Sequence, residues 1–223
     1  MRSSSSPIVL SALLSLGLLS SAQGAAAEVV PHKALYDLTL LRANSVRGVE
    51  DVKGRIAFEG GGSACEGYTA TFRQVLRMSG SEMETRLTDV RSTTFEEPGG
   101  RNFRFVIDKF LNGKEDGRAE GRTVTGNSGS VVRIAKPKAN EVALPADVSF
   151  PTHHTKALIE AAKAGTATHT TKTYDGSDDG RAIYETTAVI GNAIYADVAA
   201  DAADAAMVKP MSGMARWPMV ISY

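Results

Sequence analysis

Between Ala34 and Ile190 the side chains keep changing character at every second residue, and a period of two is the signature of a strand, not of a helix. In the first such run Ala34, Tyr36, Leu38 and Leu40 share one side, while Leu35, Asp37, Thr39 and Leu41 share the other. The first set is uniformly apolar, as a half-buried strand requires. Ile56 and Phe58 point together within Arg55 to Glu59. Tyr68, Ala70 and Phe72 share a side from Tyr68 to Met78, and Phe103, Phe105 and Ile107 share one from Arg101 to Leu111. Further strands are expected over Glu82 to Thr94, Arg118 to Val124, Ser130 to Ile134, Thr166 to Tyr174 and Arg181 to Ile190. Turn signals separate them at Glu59 to Gly62, Pro98 to Gly100, Asn112-Gly113, Gly126 to Gly129 and Asp175 to Gly180. Short strands at such spacing indicate antiparallel pairing. Long strands with one polar face suit a curved sheet whose other face lines an interior.

One segment breaks the pattern. Pro151-Thr152 precedes His153 to Ala164, and Gly165 follows. Leu158, Ile159 and Ala162 fall on one helical face, so a short helix is expected at about 152–164, ended by the glycine. Asp197 to Ala206, rich in Ala and Asp, reads as a loop or a weak helix. A last strand begins at Trp217, and the sequence stops inside that apolar run at Tyr223.

The N-terminus carries an address. Met1-Arg2 is followed by an apolar stretch from Ile8 to Leu19 and then by small residues through Ala27. That order reads as a cleaved secretory signal, too short to span a membrane. The expected organisation is a signal peptide over 1–27 and a single β-rich domain over 28–223, with no membrane-spanning segment. Basic and acidic side chains number 25 each, and cleavage after Ala27 would remove Arg2 alone, leaving a balance of −1. Arg101, Arg104 and Lys109 are interleaved with acids, so no basic stripe is visible and no nucleic-acid partner is expected. The lone cysteine, Cys65, is open to four readings: an intermolecular partner, a free thiol, a partner missing from this chain, or a small buried hydrophobe.

The familiar chemical motifs fail one by one. Neighbouring His153 and His154 would diverge by about 100° on a helix and could not clamp one ion. Asp175 to Gly180 resembles the start of a calcium loop, but position 12 is Thr186, with Glu185 one place early; a hairpin turn fits better. Gly60-Gly61-Gly62 has no following Lys-Ser/Thr and reads as a hairpin tip. There is no G-x-S-x-G elbow, the Glu96-Glu97 pair has no acid–base spacing, and Cys65 has no adjacent base. No catalytic residue, metal site or cofactor is expected.

The strands carry a further pattern. The runs His32 to Leu40, Gly62 to Tyr68, Thr88 to Glu96 and Asn102 to Phe105 resemble, in order, the EipB family of periplasmic cell-envelope integrity proteins of alphaproteobacteria. The resemblance continues through Phe150 to Thr155, Tyr174 to Gly180, Val189 to Gly191 and Arg216 to Tyr223. It implies a mainly β fold, with antiparallel strands wound into a curved, incomplete barrel or β-spiral whose cupped interior is similar to that of periplasmic lipoprotein carriers. It implies no catalytic residues. It also implies further strands after Tyr223, among them a second cysteine that pairs with the one at Cys65 in a disulfide. Relative to that pattern this chain is expected to lack its C-terminal strands. The missing disulfide would be worth roughly 2–4 kcal/mol, and Cys65 would be open to linking a dimer.

The functional expectation is a non-catalytic periplasmic protein that supports envelope integrity through contacts with periplasmic or envelope proteins. The alternative is a carrier that holds a lipid or lipoprotein acyl chain in the cup, lined by Phe72, Phe103, Phe105, Ile107, Leu158 and Ile159. Those side chains would otherwise simply fill the core.

Overall fold

A computed structural model of the protein describes residues 27–42, 48–126, 129–195 and 209–223. Residues 1–26 of the segment expected to be a signal peptide, the Ala/Asp stretch and the two central residues of the 126–129 turn lie outside them. Eight strands form one antiparallel sheet in strict sequence order: β1 (His32–Thr39), β2 (Asp51–Ser63), β3 (Gly67–Gly80), β4 (Met83–Glu96), β5 (Phe103–Leu111), β6 (Lys114–Gly126), β7 (Gly129–Lys136) and β8 (Asn140–Leu144). Its first and last strands do not pair, so the sheet is an open one. A second sheet has the order β12 (Met219–Ser222), β11 (Tyr184–Ile190), β10 (Thr168–Thr173), β9 (Val148–Ser149). Its β9–β10 pair is parallel, and the crossover that a parallel pair requires is helix α1 (Pro151–Lys163).

The period of two does what it promised. Along β5 to β7 one side of the strands is buried and the other solvated. Phe103, Phe105, Ile107, Ala119, Val132, Ile134 and Leu144 form the main core with Phe150 and Tyr174. The opposite face carries ion pairs: Arg55 with Asp37 at 2.7 Å, Asp89 with Arg73 at 2.8 Å and Arg118 with Asp108 at 2.7 Å join neighbouring strands, and Arg91, two residues along β4, also holds Asp89 at 2.8 Å. The two guanidinium groups hold the Asp89 carboxyl at about 2. Such exposed pairs are individually worth about 0–1 kcal/mol, so they solubilise the face more than they stabilise it.

The link from β10 to β11 is more than the tight turn expected there. A single helical turn, α2 (Ser177–Gly180), folds back onto the sheet and plugs its buried face. Inside it Asp178 and Asp179 take positive φ. Their carboxylates are spoken for locally, with Tyr184 donating to Asp178 at 2.6 Å and Lys109 lying 4.0 Å from Asp179. Tyr174, fully buried, donates its hydroxyl to the Gly180 carbonyl at 2.9 Å, and its burial pushes the phenol's pKa up. Gly176 and Gly180 lie against the Phe105 ring, where a Cβ on Gly180 would come within 2.9 Å of it.

One expected turn is corrected. Glu59 to Gly62 is not a hairpin tip: Gly60, Gly61 and Gly62 continue β2 and pair with Ala70, Thr69 and Tyr68. The reversal comes at 64–66 instead. A side chain on Gly62 would collide with the Gly67 carbonyl, so this glycine serves a close backbone approach. Asn112-Gly113 is the two-residue turn expected, with φ of 50° and 79°. The short strands β8 and β9 were not visible in the sequence.

Candidate functional site

Helix α1 roofs one end of the buried face of the large sheet. Its N-cap residue, Phe150, offers no capping side chain. The caps come from Glu96 at the end of β4, whose carboxylate accepts the Thr152 and His153 amides at 2.8 and 3.1 Å. Glu96 is 3% exposed, and a carboxylate there also answers the positive end of the helix dipole. His153 lies against Gly100, with its Nδ1 3.4 Å from the same carboxylate. One turn on, the Lys156 ammonium donates to the Tyr68 hydroxyl at 2.8 Å and sits 4.3 Å from that ring's centroid. The second half of the helix turns to the small sheet, where Leu158 and Ala162 pack with Ala188, Ile190 and Trp217.

Beneath the N-terminal turn of α1 no described residue covers the apolar face of β1 to β3. A cleft of about 480 Å³ opens there, lined by Tyr36, Ile56, Phe58, Tyr68, Phe72 and the Pro151–Thr155 turn. Its lining is predominantly apolar, and Tyr36 is half exposed at its mouth (52%). His32 closes one side, its ring 5.1 Å from that of Phe58. His32 Nδ1 donates to the Val30 carbonyl at 2.8 Å, which leaves Nε2 as the acceptor nitrogen of the neutral ring.

The six side chains that the sequence suggested as a lining are not brought together. Phe72 borders the cleft. Phe103, Phe105 and Ile107 sit in the main core, and Leu158 packs in the smaller cluster beside Ile159, which is half buried. The rest of the cleft, above all Tyr36, Ile56 and Phe58, was legible as same-side strand residues but not as a site. The signal that would have found them is register: Ala34, Phe58 and Phe72 are consecutive partners across β1, β2 and β3. Glu96 and Lys156 left no such trace, because their partners are 56 and 88 residues away.

Cys65 is exposed at the β2–β3 reversal, which rules out the buried-hydrophobe reading. His153 and His154 do diverge: the first faces Glu96, and the second reaches Thr186 at 3.5 Å. Among the described residues no three His, Cys, Asp or Glu side chains gather as metal ligands, and no helix is long and apolar enough to cross a membrane.

Burial, and the nearby His169, hold His154 below its ordinary pKa of 6.5. The unfolded chain therefore takes up this proton first as pH falls. The stability that neutral His154 contributes is complete above about pH 6.5 and is lost below it, down through the lowered folded value. The melting temperature is expected to drop on acidification from about pH 7 to about pH 5. His154→Gln is expected to shrink that drop in paired thermal melts, and an unchanged drop would remove His154 as its source.

Comparison with known proteins decides the kinship. Residues 23–223 match the family described as EipB-like. The cell envelope integrity protein EipB of Brucella abortus (strain 2308) is 36% identical over 208 residues, which span 93% of this chain and 72% of that protein.

The chain belongs to the EipB-like family.

Its fold agrees. The crystal structure of a beta-barrel-like protein of a domain of unknown function, also from Brucella abortus, superimposes with a TM-score of 0.80 at 37% identity. The match covers 87% of this chain and 80% of that one. The open, mainly β architecture of this chain thus has a solved counterpart at a like level of identity.

Proposed function

We propose that this protein is a non-catalytic, periplasmic supporter of cell-envelope integrity. The observation that carries the reading is its kinship, along almost the whole chain, with a protein named for envelope integrity. The leader-like N-terminus supports export, and the body after Ala27 has the solvated, ion-paired outer face of a protein that works in water. Its partners are envelope proteins. Complementation tests this: in a Brucella abortus strain deleted for EipB, the full chain should restore growth under detergent stress. A chain without residues 1–27 should not. Failure of the exported chain to restore growth would sink the reading.

The uncovered cleft favours a second reading, a carrier of an acyl chain. Apolar walls and a mouth framed by half-exposed Tyr36 are what a hydrocarbon guest needs. Native mass spectrometry of the protein purified from the periplasm should show an added lipid mass. Ile56→Asp, which places a charge among those walls, should remove it. A bare mass for the unaltered protein would leave the contact role alone.

A further inference from the structure

The opposite face of the sheet holds a charge arrangement that the sequence conceals. Arg104, Arg122 and Arg133 are spread over 30 residues of chain among acidic neighbours. Register puts them side by side, Arg104 facing Arg122 across β5–β6 and Arg122 facing Arg133 across β6–β7. Like charges directly opposed on adjacent strands repel. Two carboxylates relieve the ends of the row: Glu97 lies 3.4 Å from Arg104, and Glu141 lies 2.9 Å from Arg133. Arg122, in the middle and exposed, has no hydrogen-bond or ion-pair partner among the described residues. Three positive charges against two negative ones leave room for one anionic group.

The three guanidinium groups also stand where two depressions meet. On one side is a polar pocket of about 300 Å³ that includes Asn102 and Thr125. On the other is a groove of about 630 Å³ across β3 to β7, whose surface is mostly apolar and which runs over Phe95, Val106 and Ala135. Glu120 also lines the groove, but Arg118 engages its carboxylate at 3.1 Å.

We propose that the Arg104–Arg122–Arg133 row binds the singly charged anionic head of an amphiphile whose hydrocarbon part lies in the adjoining groove. Guanidinium forks match the oxygens of a phosphodiester or a carboxylate and bind them with charge-assisted hydrogen bonds. The apolar floor selects for an attached chain over a free ion.

Calorimetry on the mature protein tests this with three probes below their micelle-forming concentrations: lauroyl lysophosphatidylglycerol, myristate and zwitterionic lauroyl lysophosphatidylcholine. Inorganic phosphate is the fourth titrant. The expected result is saturable one-to-one binding of one or both anionic amphiphiles, weakened by high salt and by at least about tenfold in Arg122→Glu. Lys114→Glu, an exposed reversal at the far end of β6, should bind as the unaltered protein does. Which anionic probe binds tighter identifies the head as phosphodiester or carboxylate. Four results would overturn the proposal: no saturable binding of either anionic probe, equal binding of the zwitterion, phosphate alone binding as tightly (an adventitious ion only), or binding that survives Arg122→Glu and disappears in Ile56→Asp.

Discussion

Phe105→Ala is expected to lower the unfolding free energy by about 3–5 kcal/mol, a large part of the roughly 5–15 kcal/mol that holds a domain of ordinary stability together. The ring is 1% exposed, and everything around it is shaped to admit it. Phe103 and Tyr174 approach it at centroid distances of 6.0 and 5.9 Å, both within the range of favourable ring contacts. Gly121, Gly176 and Gly180 each leave out the side chain that would occupy its place. A methyl group cannot fill a cavity walled by backbone, and backbone cannot easily collapse into it. The α2 plug, which rests on this ring, should loosen first. Urea unfolding followed by tyrosine fluorescence measures the loss. Phe72→Ala serves as the internal comparison, since its ring borders the open cleft and its removal should cost roughly 1–2 kcal/mol. Equal losses at the two positions would contradict the core described here.

Glu96→Ala should have the next largest effect, about 2–3 kcal/mol. It strips the caps from two amides at the start of α1 and leaves them partly buried with nothing to accept them. The damage should be directional. Hydrogen exchange at the Thr152 and His153 amides should accelerate strongly, while the β2–β3 ladder keeps its protection. Glu96→Gln keeps one acceptor oxygen and loses the charge, so it should fall between the two. If the amides of α1 exchange no faster in the alanine variant, the helix is held by its packing on the small sheet alone. The same substitution should open the cleft, because Pro151, Thr152 and Thr155 form its roof.

How far these features were legible depends on whether they are local. The strands from β2 to β7 and the helix were readable because each writes its own periodicity, and α1 appeared at Pro151–Lys163 against an expected 152–164. The five-residue β8 and two-residue β9 are too short to show a period. The triple glycine misled because glycine serves both tight turns and close strand approach, and only the partner backbone tells which. The suggested lining went astray for a related reason. Alternation says which residues share a face, but Phe103, Phe105 and Ile107 are covered by Phe150 and Tyr174 in the main core, while Phe72 borders the open cleft.

Sequence alone was enough to determine a period-two chain, an antiparallel mainly β fold, one helix of about three turns, and kinship with the EipB-like proteins. Those follow from backbone geometry and from residues read in order. Tertiary structure alone decided where the open cleft lies, that Glu96 caps a helix 56 residues away, and that three scattered arginines stand in one row. Each of these is a matter of strand register and of what packs over a sheet, and the free energy that settles them lies in contacts between segments far apart in the chain.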